Sequence, residues 1–189
     1  MSRFKYDAET KARAIRRVVH DGRSVRDTAR EFAERELAPR VERCEVEERF
    51  VEEQVRLCGE QGFMGMSIPE AYGGTALGAL GCSVVLMEVN RVCASTGVTL
   101  SVHNSLAGES VVRHGTEEQK QRYLPGIVTG KEAWCQLFSE PEAGSDLAGL
   151  RTLAVRDGEE WVVNGQKVWT SGSLNSWHHA SLPVTIPGR

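Results

Sequence analysis

Up to Gly130 the apolar residues of this chain recur every three or four positions, and beyond it they recur every second position. Side chains share a helix face at a period of about 3.6 and a strand face at a period of about 2. A chain that changes from one period to the other cannot close as a single bundle or a single sheet. It must build a helical layer first and a β layer after it, an α+β arrangement. At 189 residues there is room for one such core and part of a second.

In the helical part, Ser24 is a good N-cap, and Asp27 falls in the first turn, where the helix dipole favours an anion. Val25, Thr28, Ala29, Phe32, Ala33 and Leu37 follow at helical spacing, predicting an amphipathic helix that Pro39 kinks or ends. A second helix runs through Phe50, Val51, Val55 and Leu57 to Cys58 and stops near Gly59 or Gly62. The run 62–74 is an apolar loop punctuated by Gly and Pro, and a loop so apolar must pack on something. Residues 78–94 are apolar nearly all round, which predicts a helix at the centre of a bundle. Residues 96–113 give a helix of small and hydroxylic side chains. Thr116 caps the next helix, with Glu117 and Glu118 in its first turn, and that helix ends before Pro125.

From residue 131 the expected strands are 134–139, 150–156, 160–164 and 166–170, with Asp157-Gly158 and Asn164-Gly165 as hairpin turns. These strands are too few to close a barrel, so the antiparallel β domain reads as truncated, with open edges. Residues 1–23 interleave Arg and Lys with acids and read as a loose, disordered leader. The expected division is therefore a leader over 1–23, a helical bundle domain over 24–130, the start of a β domain over 131–172, and a tail over 173–189.

Two runs carry the chemistry. The first, Gln136 to Asp146, is strand-like through Leu137 and Phe138 and then breaks into a turn of small residues. Pro141 fixes its own φ and removes a donor, Gly144 permits close backbone approach, and Ser139 and Ser145 bring hydroxyls to either side. The second, Asn164 to Gly172, leads to the flat amphipathic Trp169, followed by the hydroxyls of Thr170 and Ser171. Together they suit a flat, polar-edged ring beside a polyanionic tail.

Composition narrows the remaining classes. A formal net charge of -3 lacks the basic excess of a nucleic-acid binder. No window approaches the roughly 18 consecutive apolar residues of a membrane span, and the first residues lack an apolar signal-peptide core. The five cysteines form no CxxC and read as reduced core thiols of a cytoplasmic protein. His103 and His114 have no second ligand at useful spacing, so no metal site is expected.

The order of elements and both runs closely resemble the acyl-CoA dehydrogenase family, over residues of about 24 to 172. Matching stretches are Arg30-Glu31-Phe32-Ala33, the segment from Ile68 to Gly74, His103-Asn104-Ser105-Leu106 and the segment from Gln119 to Pro125. The runs Ser139 to Asp146 and Asn164 to Ser171 are the most specific. The resemblance implies FAD-dependent α,β-desaturation of an acyl-CoA thioester, with an electron-transfer flavoprotein as electron acceptor and a homo-oligomer for the full-length family member. Carried over by position, Gln136, Leu137, Phe138, Ser139, Gly144 and Ser145 would line the flavin and its pyrophosphate. Trp169, Thr170 and Ser171 would contact the ring, and Ser145 would also meet the substrate's CoA. Donors at the flavin's pyrimidine edge make it a better hydride acceptor.

Two departures qualify the implication. Glu142 stands where the family usually has Gly, placing a carboxylate beside a pyrophosphate. After Gly172 the family's pattern stops, and the tail reads as aberrant, as a shifted reading frame would leave it. The family's catalytic base is a Glu in a later helical bundle, so no residue here is assigned as catalytic, and Glu140 and Glu142 are not promoted to that role. The expected protein is an acyl-CoA dehydrogenase lacking turnover in this form. The alternatives are a non-catalytic helical module and a flavin oxidase or monooxygenase on the same scaffold.

Overall fold

The computed structural model describes residues 24–48, 52–170 and 179–181. The leader 1–23, the helix positions Phe50 and Val51, the expected flavin contact Ser171 and most of the tail lie outside the described residues. The chain divides into two units, Met1–Glu132 and Ala133–Arg189.

The first unit is helical. Ser24 caps α1 (Val25–Phe32) by accepting from the Asp27 N–H at 3.1 Å, and Thr28, Ala29 and Phe32 are its buried face. Pro39 does not end this segment: a π turn over Ala33–Leu37 leads directly into α2 (Ala38–Val46). Proline lacks an N–H and its ring crowds the carbonyl of the preceding turn, and widening that turn lets the chain stay helical. After α3 (Glu52–Glu60), the apolar loop packs inward as expected, with Phe63, Met64, Met66 and Ile68 buried. Phe63 meets Phe32 edge to face, the ring centroids 5.3 Å apart.

Helix α4 (Gly78–Val92) is not central in the way its composition predicts. Val85 and Val89 are buried, whereas Leu80 is 80% and Met87 61% exposed. One stripe of α4 also buries a carboxylate. Glu88 takes Arg30 through both its oxygens at 3.1 and 3.2 Å, with Arg26 at 3.1 Å and Arg91 at 3.5 Å. The hydrogen bond from Arg30 above all holds this carboxyl below its ordinary range.

Residues 96–113 are helical but not one helix. Helix α5 (Ala94–Val102) passes through a π turn at His103–Gly108 into α6 (Glu109–His114). The π turn places Asn104 as a hub: its amide donates to the carbonyls of Phe63 and Leu100, each at 2.9 Å, and its oxygen accepts from the Ser67 N–H at 3.3 Å. His103 Nε2 lies 2.7 Å from the Ile127 carbonyl, so that nitrogen carries the proton, and burial lowers the ring's pKa. A full capping box between Thr116 and Gln119 starts α7 (Glu117–Thr129). This helix runs through Pro125 rather than stopping before it. The carbonyl that proline leaves unpaired belongs to Gln121 on the exposed side, while Leu124, Ile127 and Val128 hold the opposite face on the core.

The second unit holds two small pairings. Strand β1 (Trp134–Gln136) is shorter than expected and pairs in parallel with β4 (His179–Ser181). Strands β2 (Leu153–Asp157) and β3 (Glu160–Asn164) form the expected hairpin around Gly158, which lies at φ 60°. The hairpin expected at Asn164-Gly165 is absent, and 166–170 is not a strand. Gly165 has another use: a Cβ there would stand 2.2 Å from Thr152 Oγ1 and 2.8 Å from Thr152 Cα. Glycine is present because two backbones touch, and the residues after it turn toward another partner.

Candidate functional site

That partner is the first chemical run. The Val168 N–H donates to the Ser139 carbonyl at 2.9 Å, and Lys167 Nζ donates to the Phe138 carbonyl at 3.0 Å. The two runs, which residues 147–163 separate in sequence, therefore lie side by side within one unit. A tight turn shapes the first of them, since Glu140 and Ala143 exchange N–H to carbonyl bonds at 2.9 and 3.2 Å. Beyond it, Gly144, Ser145 and Asp146 are exposed.

Glu140 fixes the junction. Its carboxylate accepts from the N–H groups of Arg151 at 2.7 Å and Thr152 at 2.9 Å, and pairs with Lys167 Nζ at 2.9 Å. Both side chains of the ion pair are buried, Glu140 at 6% exposure and Lys167 at 7%. The Thr152 hydroxyl (close by, though short of good hydrogen-bond geometry), the Lys167 ammonium and the Arg151 N–H pull the carboxyl down to about 2. So strong an acid is a poor base, which removes Glu140 from any proton-abstracting role. Nothing in residue spacing announced this pair, because its members are 27 positions apart and meet only through the fold.

The departure at Glu142 also finds a partner. Its carboxylate meets the Arg151 guanidinium at 2.9 Å, with both side chains largely exposed. A neighbouring cation offsets part of the repulsion that a bare carboxylate would exert on a phosphate, and solvent screens both charges.

Trp169 stands out among the described residues of the unit. Its side chain is 87% exposed, and its backbone lies at φ 58°, a left-handed conformation that a bulky residue rarely adopts. An indole so exposed gains little from packing against the described residues, so nothing among them offsets the strain of its backbone. Thr170 beside it is half-buried, as are Gln136, Leu137 and Ser139 on the first run, and Phe138 is 37% exposed. A Cβ on Gly144 would meet nothing within 4 Å, so there is room at the turn as well. The donor set, the flat indole and the open turn fit the edge and face of a planar heteroaromatic ring. Among the described residues no group of His, Cys, Asp and Glu could hold a metal ion, and no helix is long and apolar enough to cross a membrane.

Comparison with known proteins points the same way. The family model "Acyl-CoA dehydrogenase, N-terminal domain" matches residues 20–131, and "Acyl-CoA dehydrogenase, middle domain" matches 135–183. The chain is 40% identical over 160 residues to the mitochondrial short-chain specific acyl-CoA dehydrogenase of Bos taurus, covering 85% of this chain and 38% of the relative. It is 39% identical over 151 residues to the short-chain specific enzyme of Clostridium acetobutylicum, covering 79% and 40%. Among solved structures, a glutaryl-CoA dehydrogenase from Mycobacterium smegmatis in complex with FADH2 superposes with a TM-score of 0.81 at 32% identity, over 88% of this chain and 43% of that one. The chain thus spans about two fifths of the length of these curated relatives.

Proposed function

This chain belongs to the acyl-CoA dehydrogenase family, and on that premise we propose that it forms part of the flavin site of an enzyme that desaturates acyl-CoA thioesters with FAD. The observation that carries the reading is the junction of the two runs, which brings Ser139 beside Val168 and leaves Trp169 facing outward. Bound FAD supplies the acceptor for the hydride that leaves the carbon β to the thioester carbonyl.

The protein's own residues prepare that acceptor. Gln136, Leu137, Phe138 and Ser139 line it on one side, and Trp169 covers a ring face and excludes water from it. The groups of Ser139, Thr170 and Ser171 would donate to its polar edge and so favour a more electron-rich ring. Gly144 lets the backbone approach the pyrophosphate, and Ser145 serves the same phosphate or the CoA part of the substrate. No carboxylate of this site is assigned to the α proton, because Glu140 is held as a carboxylate of low basicity and Glu142 is paired with Arg151. We place the substrate as an acyl-CoA, the electron acceptor as an electron-transfer flavoprotein, the assembly as a homo-oligomer and the compartment as the cytoplasm.

The reading is tested by adding FAD to the purified chain and following flavin fluorescence, then assaying an acyl-CoA with an artificial acceptor. Saturable quenching without turnover is expected. Absence of quenching beyond that of a Trp169→Ala variant would overturn the flavin assignment, and measurable turnover would overturn the statement that these residues contain no base.

A further inference from the structure

We propose that Glu140 and Lys167 are positioning residues for the flavin: their buried pair is a clasp that sets the spacing between the Ser139 edge and the Trp169 face. The proposal rests on the flavin reading above and adds two residues that this reading does not itself require. Neither residue would touch the cofactor. Each acts through the segment it holds.

The clasp has a defined anatomy. Lys167 bridges the Phe138 carbonyl and the Glu140 carboxylate, at 3.0 and 2.9 Å, so one ammonium spans both sides of Ser139. The next residue, Val168, bonds Ser139 itself at 2.9 Å, and Trp169 follows. Glu140 in turn anchors the start of the β2 segment through the Arg151 and Thr152 N–H groups. Three stretches of backbone therefore converge on one carboxylate. The stretches bearing Ser139 and Trp169 cannot shift independently while it is charged and paired. Burial makes the arrangement stiff: a buried ion pair whose carboxylate also accepts two backbone N–H groups and whose ammonium also reaches a carbonyl has few alternative geometries. A backbone strained at Trp169 needs such a brace to keep the indole where it is.

The test uses the 189-residue chain with three variants, Glu140→Gln, Lys167→Met and the double variant. FAD affinity is read by flavin fluorescence, ring placement by visible circular dichroism of the bound flavin, and the bond at Ser139 by hydrogen exchange of the Val168 amide without ligand. Each single variant is expected to weaken FAD about tenfold, to change the dichroism, and to speed exchange at Val168. Lys167→Met is expected to be the worse, because it leaves a buried carboxylate unpaired, and the double variant is expected to recover part of that loss. Unchanged affinity and dichroism in both singles, with the parent chain binding FAD, would overturn the clasp alone. A parent chain that binds no FAD would sink the flavin reading and the clasp's role with it. Variants whose tryptophan emission matches that of the urea-unfolded chain would make the pair structural, which also overturns the positioning role.

Discussion

Gly165→Ala tests whether the two runs are held by direct backbone contact. The added methyl would lie 2.2 Å from Thr152 Oγ1, 2.7 Å from Thr152 Cβ and 2.8 Å from Thr152 Cα. Comfortable contact between carbon atoms is about 3.5–4.0 Å, so the chain after Gly165 must move by roughly 1 Å. The obstacle includes backbone, and a rotamer change at Thr152 cannot relieve it. Gly165 is not among the glycines at positive φ, so alanine brings no conformational strain of its own. Overpacking of this kind costs about 1–3 kcal/mol, offset by about 0.4–1 kcal/mol from the stiffer unfolded chain, for a net loss near 1–2 kcal/mol. The displacement falls directly on Lys167, Val168 and Trp169, so FAD affinity should drop about tenfold, equivalent to ~1.4 kcal/mol. All four tryptophans lie in the second unit, so urea unfolding followed by their fluorescence reports that unit alone. Gly144→Ala is the comparison for stability, since its methyl would meet nothing within 4 Å. A Gly165→Ala chain within about 0.5 kcal/mol of its parent would refute the contact as the reason for glycine.

Trp169→Gly should stabilise the second unit by about 1 kcal/mol, by removing a left-handed non-glycine residue, while abolishing FAD binding; a melt and a titration read the two effects separately. Asn104→Ala should cost the helical unit about 2–4 kcal/mol in urea unfolding followed by far-ultraviolet dichroism, because it breaks bonds to Phe63, Leu100 and Ser67 and takes a donor from the buried Phe63 carbonyl. Glu140 is depressed from 4.5 to about 2, so the stability it adds is complete above 4.5 and is lost as pH falls toward 2. Glu140→Gln should remove that acid-sensitive part of the tryptophan-detected transition. His103 is depressed below 6.5, so the helical unit should lose stability as pH falls below 6.5, and His103→Gln should flatten that dependence.

Much of the fold is legible in the sequence, because its signals are local. The cap at Ser24, the capping box at Thr116, the inward-packing loop and the β2–β3 turn are each written in a few adjacent residues. The misreadings share a different cause: tertiary contact overrode a local rule. Pro39 and Pro125 both sit in continuous helix, the first after a widened turn and the second with its lost bond on the solvent side. Asn164-Gly165 has hairpin chemistry, but close approach to Thr152 is what the glycine serves. Composition made α4 look central, when one stripe is buried and a carboxylate lies within it. At the site, the hydroxyl-bearing runs and Trp169 could be named from sequence, whereas the Glu140–Lys167 pair that joins them could not. A buried ion pair across 27 residues leaves no periodic trace.

The most direct test of the whole account is a titration of FAD into the chain, read at once by flavin fluorescence and visible circular dichroism. The account requires saturable binding near one FAD per chain, with an induced flavin signal that disappears in Trp169→Ala. Binding that never saturates, or a signal indifferent to Trp169, would contradict it.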